Sequence, residues 1–218
     1  MISETVTTLK PHWLDLMRTA EFTKKLRHQF PDLEFEVKQT EVNLCGLADV
    51  VKKARLFILE KVTAAAEFSY EISESISRVF AKDEARPYLR EQLLLRGISA
   101  TWICKNRSVI VYTLDDKHLK GSVRVLKNAV VEQRLHLSAL NLREDLDQSL
   151  GWKDLIRRLC KEDSLLDVSV SGSVLIVACM KSSFEKNKNR IADFLSKNSR
   201  LSFLSSRQNV SCRLFQWQ

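Results

Sequence analysis

EVNLCGLADVVKKARLFILEKV, residues 41–62, runs from a short apolar strand through a glycine into a helix with Val50, Ala54, Ile58 and Val62 at helical spacing. The pattern returns twice. SVIVYTLDDKHLKGSVRVLKNAV, residues 108–130, has its stripe at Leu119, Val123, Leu126 and Val130. SVLIVACMKSSFEKNKNRIADFL, residues 173–195, has Phe184, Ile191 and Leu195. Aligning Val42, Val109 and Val174 gives a period of about 66 residues, longer than the ~33–47 of helical solenoids.

The residues before each strand repeat as well. DLEFEVKQTEVNLCG (32–46), ISATWICKNRSVIVY (98–112) and LLDVSVSGSVLIV (165–177) alternate like half-buried hairpins, with Lys105-Asn106 and Ser171-Gly172 expected at two of the turns. Upstream of each hairpin lies an interrupted helical region. Pro11 and Pro87 suit first-turn positions there, where the missing N–H loses no helical bond. Upstream again come the alternating segments ETVTTL, EFSYEI and QRLHLSAL. Each unit therefore reads β-α-α-β-β-α, an α+β class in which helices cover a three-stranded sheet. The expected units are residues 1–64, 65–132 and 133–198. Residues 199–218 form a C-terminal strand segment that begins like a further unit and continues into SCRLFQW, which fits no repeat. Apolar runs such as Val109 to Val111 and Val174 to Val177 offer both strand faces for burial, so the second faces are expected to pack between units.

Composition narrows the function. The 218 residues are 44% hydrophobic and 28% charged with 5 glycines and 3 prolines, as in a packed globular chain. The N-terminus lacks a basic segment followed by an apolar core, and VLIVACM is far short of the ~20 residues that span a bilayer. A soluble protein of the cytoplasm or nucleus, without a membrane partner, is expected. Cys45, Cys104, Cys160, Cys179 and Cys212 are scattered and contain no C-x-x-C pair, and His12, His28, His118 and His136 are not near them in sequence. Free thiols follow, with no metal or cofactor expected. The net charge of +8 is uneven: the excess is +1 in 1–64, +2 in 65–132 and +5 in 133–218.

The β-α-α-β-β-α order, with VNLCGLADVVKKARLFI as its last strand and helix, resembles the type I KH fold. A KH module binds nucleic acid through a G-x-x-G loop between its first two helices, whose backbone comes close to the phosphates. The corresponding turns here read MRTAEF, FAKDEA and QSLGWK. None has two glycines, and the second carries Asp83 and Glu84, which repel phosphate. An uninterrupted series of such degenerate units, with YEISESI opening one and GWKDLIRRL opening a second helix, is similar to the KH-like array of the macrodomain-containing branch of the poly(ADP-ribose) polymerase family. The resemblance covers nearly all of the chain. It implies a non-catalytic module of a mono-ADP-ribosyltransferase associated with innate immunity; no transferase domain is legible in this chain.

Candidate binding residues lie in the third unit. In GWKDLIRRLCK, Lys153, Arg157 and Lys161 fall at i, i+4 steps with Arg158 on the flank, and Trp152 is placed to stack on a base. Leu155, Ile156 and Leu159 make the buried side. A second basic run includes Lys186, Lys188 and Arg190, flanked by Lys181 and Lys197. RNA or single-stranded DNA is the implied partner. The competing readings are solvated helix faces on a structural spacer, a protein-interaction platform that docks neighbouring domains, and RNA-recognition-like β-α-β-β-α-β repeats. The last lacks the paired stacking aromatics of that module. His12 with Asp15, and His118 beside Asp115 and Asp116, are the local acid-base neighbours; no nucleophile with an orienting base accompanies them.

Overall fold

The computed structural model describes residues 1–7, 9–137, 146 and 149–198. It is a mixed α/β chain with three small antiparallel sheets and, among the described residues, eight helices. The first repeat comprises β1 (Ile2–Val6), α1 (Pro11–Met17), α2 (Ala20–Gln29), β2 (Glu34–Val37), β3 (Val42–Gly46) and α3 (Ala48–Thr63). The second comprises β4 (Ala66–Glu71), α4 (Glu74–Phe80), α5 (Ala85–Leu94), β5 (Thr101–Lys105), β6 (Ser108–Thr113) and α6 (Asp116–Ala129). In the third, β7 (Val130–His136) precedes α7 (Leu150–Glu162), β8 (Asp167–Ser171), β9 (Val174–Met180) and α8 (Lys181–Asn198). The segment between β7 and α7, like the 199–218 tail, lies outside the described residues.

Each sheet places its third strand in the centre, in the orders β1-β3-β2, β4-β6-β5 and β7-β9-β8. The central strands begin at 42, 108 and 174, where they pair with Val6, Glu71 and His136 at the ends of the first strands. The sequence alignment at Val109 was thus one residue out of register. Because β4 bonds to β6 and not to the first sheet, the first repeat does not form the four-stranded sheet of an RNA-recognition-type unit.

Several boundaries differ from the sequence reading. β1 starts at Ile2, two residues before ETVTTL, and β7 starts at Val130, which therefore leaves the expected helical stripe. The hairpin turn after β5 is Asn106-Arg107, both left-handed at φ 52° and 61°, as a two-residue type I′ loop requires. In the third sheet, Ser171 pairs with Val174, so the loop is Gly172-Ser173 with Gly172 at φ 58°.

The chain divides into two compact units. One is Met1–Ile72 with Pro87–Lys127; the other is Ser73–Arg86 with Asn128–Gln218. In the first, α3 packs on β1 and β3 over a core of Leu14, Met17, Phe22, Leu26, Leu44, Val51 and Ile58. Here α1 also reaches forward to β5. His12 stacks on Tyr112 at 4.4 Å between ring centres, and Trp13 meets the same ring edge-on at 5.0 Å. Val109 and Val111 alternate with Tyr112 along β6, and all three are buried, so both faces of this central strand are covered.

The second unit repeats the arrangement. Leu175, Val177 and Cys179 of β9 share a core with Trp152, Leu155 and Leu159 of α7 and Ile191 and Leu195 of α8. Ala178 and Met180, on the opposite face by strand alternation, are also buried, and α4 lies against β7, β8 and β9. The expectation that second sheet faces are covered between repeats is met by one device: the first helix of a repeat packs on the sheet of the next. The first sheet's corresponding face is polar instead, with Thr5 bonded to Asn43 at 3.0 Å and Glu36 alongside in register.

Polar contacts fix α4 in place. Arg78 donates from Nε to Asp167 Oδ1 at 3.0 Å and from Nη2 to Oδ2 at 3.0 Å, and reaches Ser169 Oγ at 3.2 Å. Lys82 Nζ donates to the Ser164 and Leu166 carbonyls, each at 2.6 Å. The Ser73 and Ser75 hydroxyls both donate to the Glu132 carboxylate. Burial alone would raise the Glu132 pKa. These hydroxyls and Arg134 outweigh that effect and hold it below the usual carboxylate range.

Candidate nucleic-acid interface

Ser149 caps α7, its hydroxyl accepting from the Trp152 backbone N–H at 3.5 Å. The helix therefore begins at Leu150 and takes in Gly151, so part of the expected QSLGWK turn is helical. From that start, Trp152, Leu155 and Leu159 fall at i, i+3 and i+7 on the buried face. Trp152 is 4% exposed and meets Phe194 of α8 at 5.7 Å between ring centres. It is a core residue and offers no face to a base. The i, i+3, i+7 spacing with two leucines already carried that signal.

The other face holds the charge. Lys153, Arg157, Arg158 and Lys161 are all exposed. Arg157 is spent partly on Asp154 at 2.9 Å, and Arg158 Nε lies 3.4 Å from the Asp154 carbonyl. Among the described residues Lys153 and Lys161 make no ion pair.

The second basic run converges on the end of the same helix. Glu162 of α7 accepts from both terminal nitrogens of Arg190, with Nη2 at 3.0 Å, and Lys186 Nζ stands 3.7 Å away. The bond from Arg190, with the charge of Lys186, holds the Glu162 carboxyl below the usual carboxylate range. Lys188 pairs with Glu185 at 3.4 Å. The fold thus brings the two predicted runs together but neutralises much of the second. Lys153, Arg158 and Lys161 are left as the cations on α7 with no acidic side-chain partner among the described residues.

The turns expected to replace the glycine loop are built of side chains. Arg18-Thr19 joins α1 to α2; Thr19 caps α2, and Arg18 bonds Asp15 at 3.2 Å and the Lys38 carbonyl. Asp83 and Glu84, between α4 and α5, are exposed. In the first repeat, Lys25 of α2 is likewise engaged, its Nζ 2.9 Å from Glu21 Oε1.

Cys45, Cys104, Cys160 and Cys179 form no disulfide among the described residues, and burial pushes the Cys160 and Cys179 thiols above the usual range, so neither is an activated thiolate. Among the described residues no helix is long and apolar enough to cross a membrane.

No family model and no curated protein matches the chain. Among solved structures it is similar to Dim2p from Pyrococcus horikoshii OT3, at 16% identity over 95% of this chain and 100% of that one, with a TM-score of 0.27.

Proposed function

We propose that this chain is a non-catalytic array of three degenerate KH-like repeats, related to the array of the macrodomain-containing mono-ADP-ribosyltransferases. In this reading it serves as a scaffold and holds single-stranded RNA or DNA weakly through its third repeat. The observation that carries the binding role is the outer face of α7, where Lys153, Arg158 and Lys161 are exposed and, among the described residues, have no acidic side-chain partner. Contacts of this kind are electrostatic and sequence-tolerant. A purely structural spacer is the second reading. It is favoured by the burial of Trp152, which removes the only aromatic offered for base stacking, and by the covered sheet faces.

Fluorescence anisotropy of labelled single-stranded RNA and DNA with wild type and Lys153→Glu/Lys161→Glu separates the two. Among the described residues these lysines support no ion pair, so charge reversal leaves the fold intact. Micromolar binding that the variant abolishes supports the nucleic-acid role. Binding no tighter than the ~10⁻⁴ M edge of non-specific association leaves the spacer.

A further inference from the structure

Within the first compact unit, the start of α2 meets the start of α6. Glu21, Asp115 and His118 each offer one ligand atom there, and the three atoms lie within 4.8 Å of one another. The residues come from distant parts of the sequence, so the cluster belongs to the fold. Asp115 and His118 stand three residues apart, where the His118 N–H bonds the Asp115 carbonyl at 3.0 Å and turns both side chains to one side. The side chains are partly shielded, at 29% exposed for Glu21, 30% for Asp115 and 13% for His118. Phe22, Phe57 and Leu114 line the same small cleft.

His118 Nε2 is the independent sign. It is shut off from solvent and, among the described residues, has no hydrogen-bond partner. Glu21 Oε2 is only 3.0 Å from it, but off the direction a ring N–H needs. A buried ring nitrogen in this position normally has a proton acceptor, a donor or a metal to satisfy it.

We infer that Glu21, Asp115 and His118 form a divalent transition-metal site of the zinc type, with one imidazole and two carboxylates as ligands. Bond lengths of about 2.0–2.2 Å to nitrogen and oxygen put tetrahedral ligand atoms roughly 3.3 Å apart, a small closure from the spacing present. Three protein ligands leave the fourth position to water. Mixed nitrogen and carboxylate donors suit zinc or its cobalt surrogate better than calcium, which takes six or more oxygens. Two lysines set the affinity. Lys25 Nζ is 2.9 Å from Glu21 Oε1 and 3.7 Å from Asp115 Oδ2, and Lys117 Nζ is 3.0 Å from Asp115 Oδ2 and 3.7 Å from Glu21 Oε1. They supply the positive charge that the metal would bring, so the ion must compete with them.

The test is Co²⁺ and Zn²⁺ titration of the full chain, followed by visible absorption and calorimetry. The expected result is one equivalent of Co²⁺ with tetrahedral bands and no sulfur-to-cobalt charge transfer, displaced by Zn²⁺. His118→Ala and Glu21→Gln each weaken it at least ~10-fold, the lower end of what disturbing a metal's surroundings costs. Lys117→Met tightens it, a gain that damage to the fold cannot mimic. Circular dichroism melts of the metal-free variants check that they fold. The inference is overturned if wild type binds no cobalt below millimolar concentration. It is also overturned if His118→Ala binds as wild type does, or if the bound cobalt shows thiolate charge transfer, which would place it on cysteines.

Discussion

Arg78→Ala removes the central tie between α4 and the third sheet. The guanidinium makes three contacts of 3.0–3.2 Å with the Asp167 carboxylate and one of 3.2 Å with Ser169. Arg78 is 40% exposed and Asp167 15%, so the pair lies between a screened surface bridge and a buried one. An exposed bridge contributes about 0.2–1 kcal/mol, while breaking a fully buried pair costs about 3–5 kcal/mol. The largely covered carboxylate left behind places this site at about 1.5–2.5 kcal/mol. The outer contact to Glu74, 2.7 Å long but with Glu74 72% exposed, adds only ~0.3–0.5 kcal/mol as an i, i+4 helix pair. Urea denaturation measures the total, and hydrogen exchange of the β8 and β9 amides reads this unit separately from the other. In a double-mutant cycle with Asp167→Ala, the coupling should be about 1–1.5 kcal/mol, the value expected of contacting residues. Arg78→Ala within ~0.5 kcal/mol of wild type, or additivity within ~0.3 kcal/mol, would refute the tie.

Trp152→Ala should cost about 3–5 kcal/mol, as for other buried large aromatics, and melt the third repeat; loss of nucleic-acid affinity with unchanged thermal stability would contradict its core placement. Arg107→Gly should raise stability by about 0.5–1 kcal/mol in urea titrations, since a non-glycine residue there adopts a left-handed conformation, whereas a loss would mean that the Arg107 side chain holds the hairpin. The Glu132 pKa is lower in the folded state than its ordinary 4.5, so its contribution is complete above that value and is lost as the pH falls through the depressed native value. Glu132→Gln should flatten the acid limb of the urea midpoint against pH, and an unchanged limb would exclude the serine clamp as its source.

The local half of the fold was legible. Alternation along DLEFEV and VSVSGSVLIV gave the hairpins, and the 66-residue spacing of the central strands gave the repeats. Boundaries moved where local signals compete. Val130 suits both a helix stripe and a β-branched strand, and pairing with Met180 makes it a strand. The double-sided burial of β6 and β9 was signalled by unbroken apolar runs, but not the cover itself. That α4 serves the next sheet depends on Arg78 finding Asp167, 89 residues away. The candidate interface was half legible for the same reason. The i, i+4 cations of α7 lie where the helix period puts them, whereas the neutralisation of Arg190 and Lys186 by Glu162 needs two helices side by side. The acid-histidine neighbours at 115–118 were visible as a local pair; Glu21, which completes the cluster, was not.

What the outer face of α7 does is read from the salt dependence of wild-type binding to single strands. Three cations with no acidic side-chain partner among the described residues, Lys153, Arg158 and Lys161, each displacing condensed counterions from a single strand, predict a slope of about −2 for log affinity against log salt. The same slope should fall toward zero in Lys153→Glu/Lys161→Glu. Binding with a slope near zero in wild type, or a slope that the variant leaves unchanged, would rule out this helix as the nucleic-acid contact.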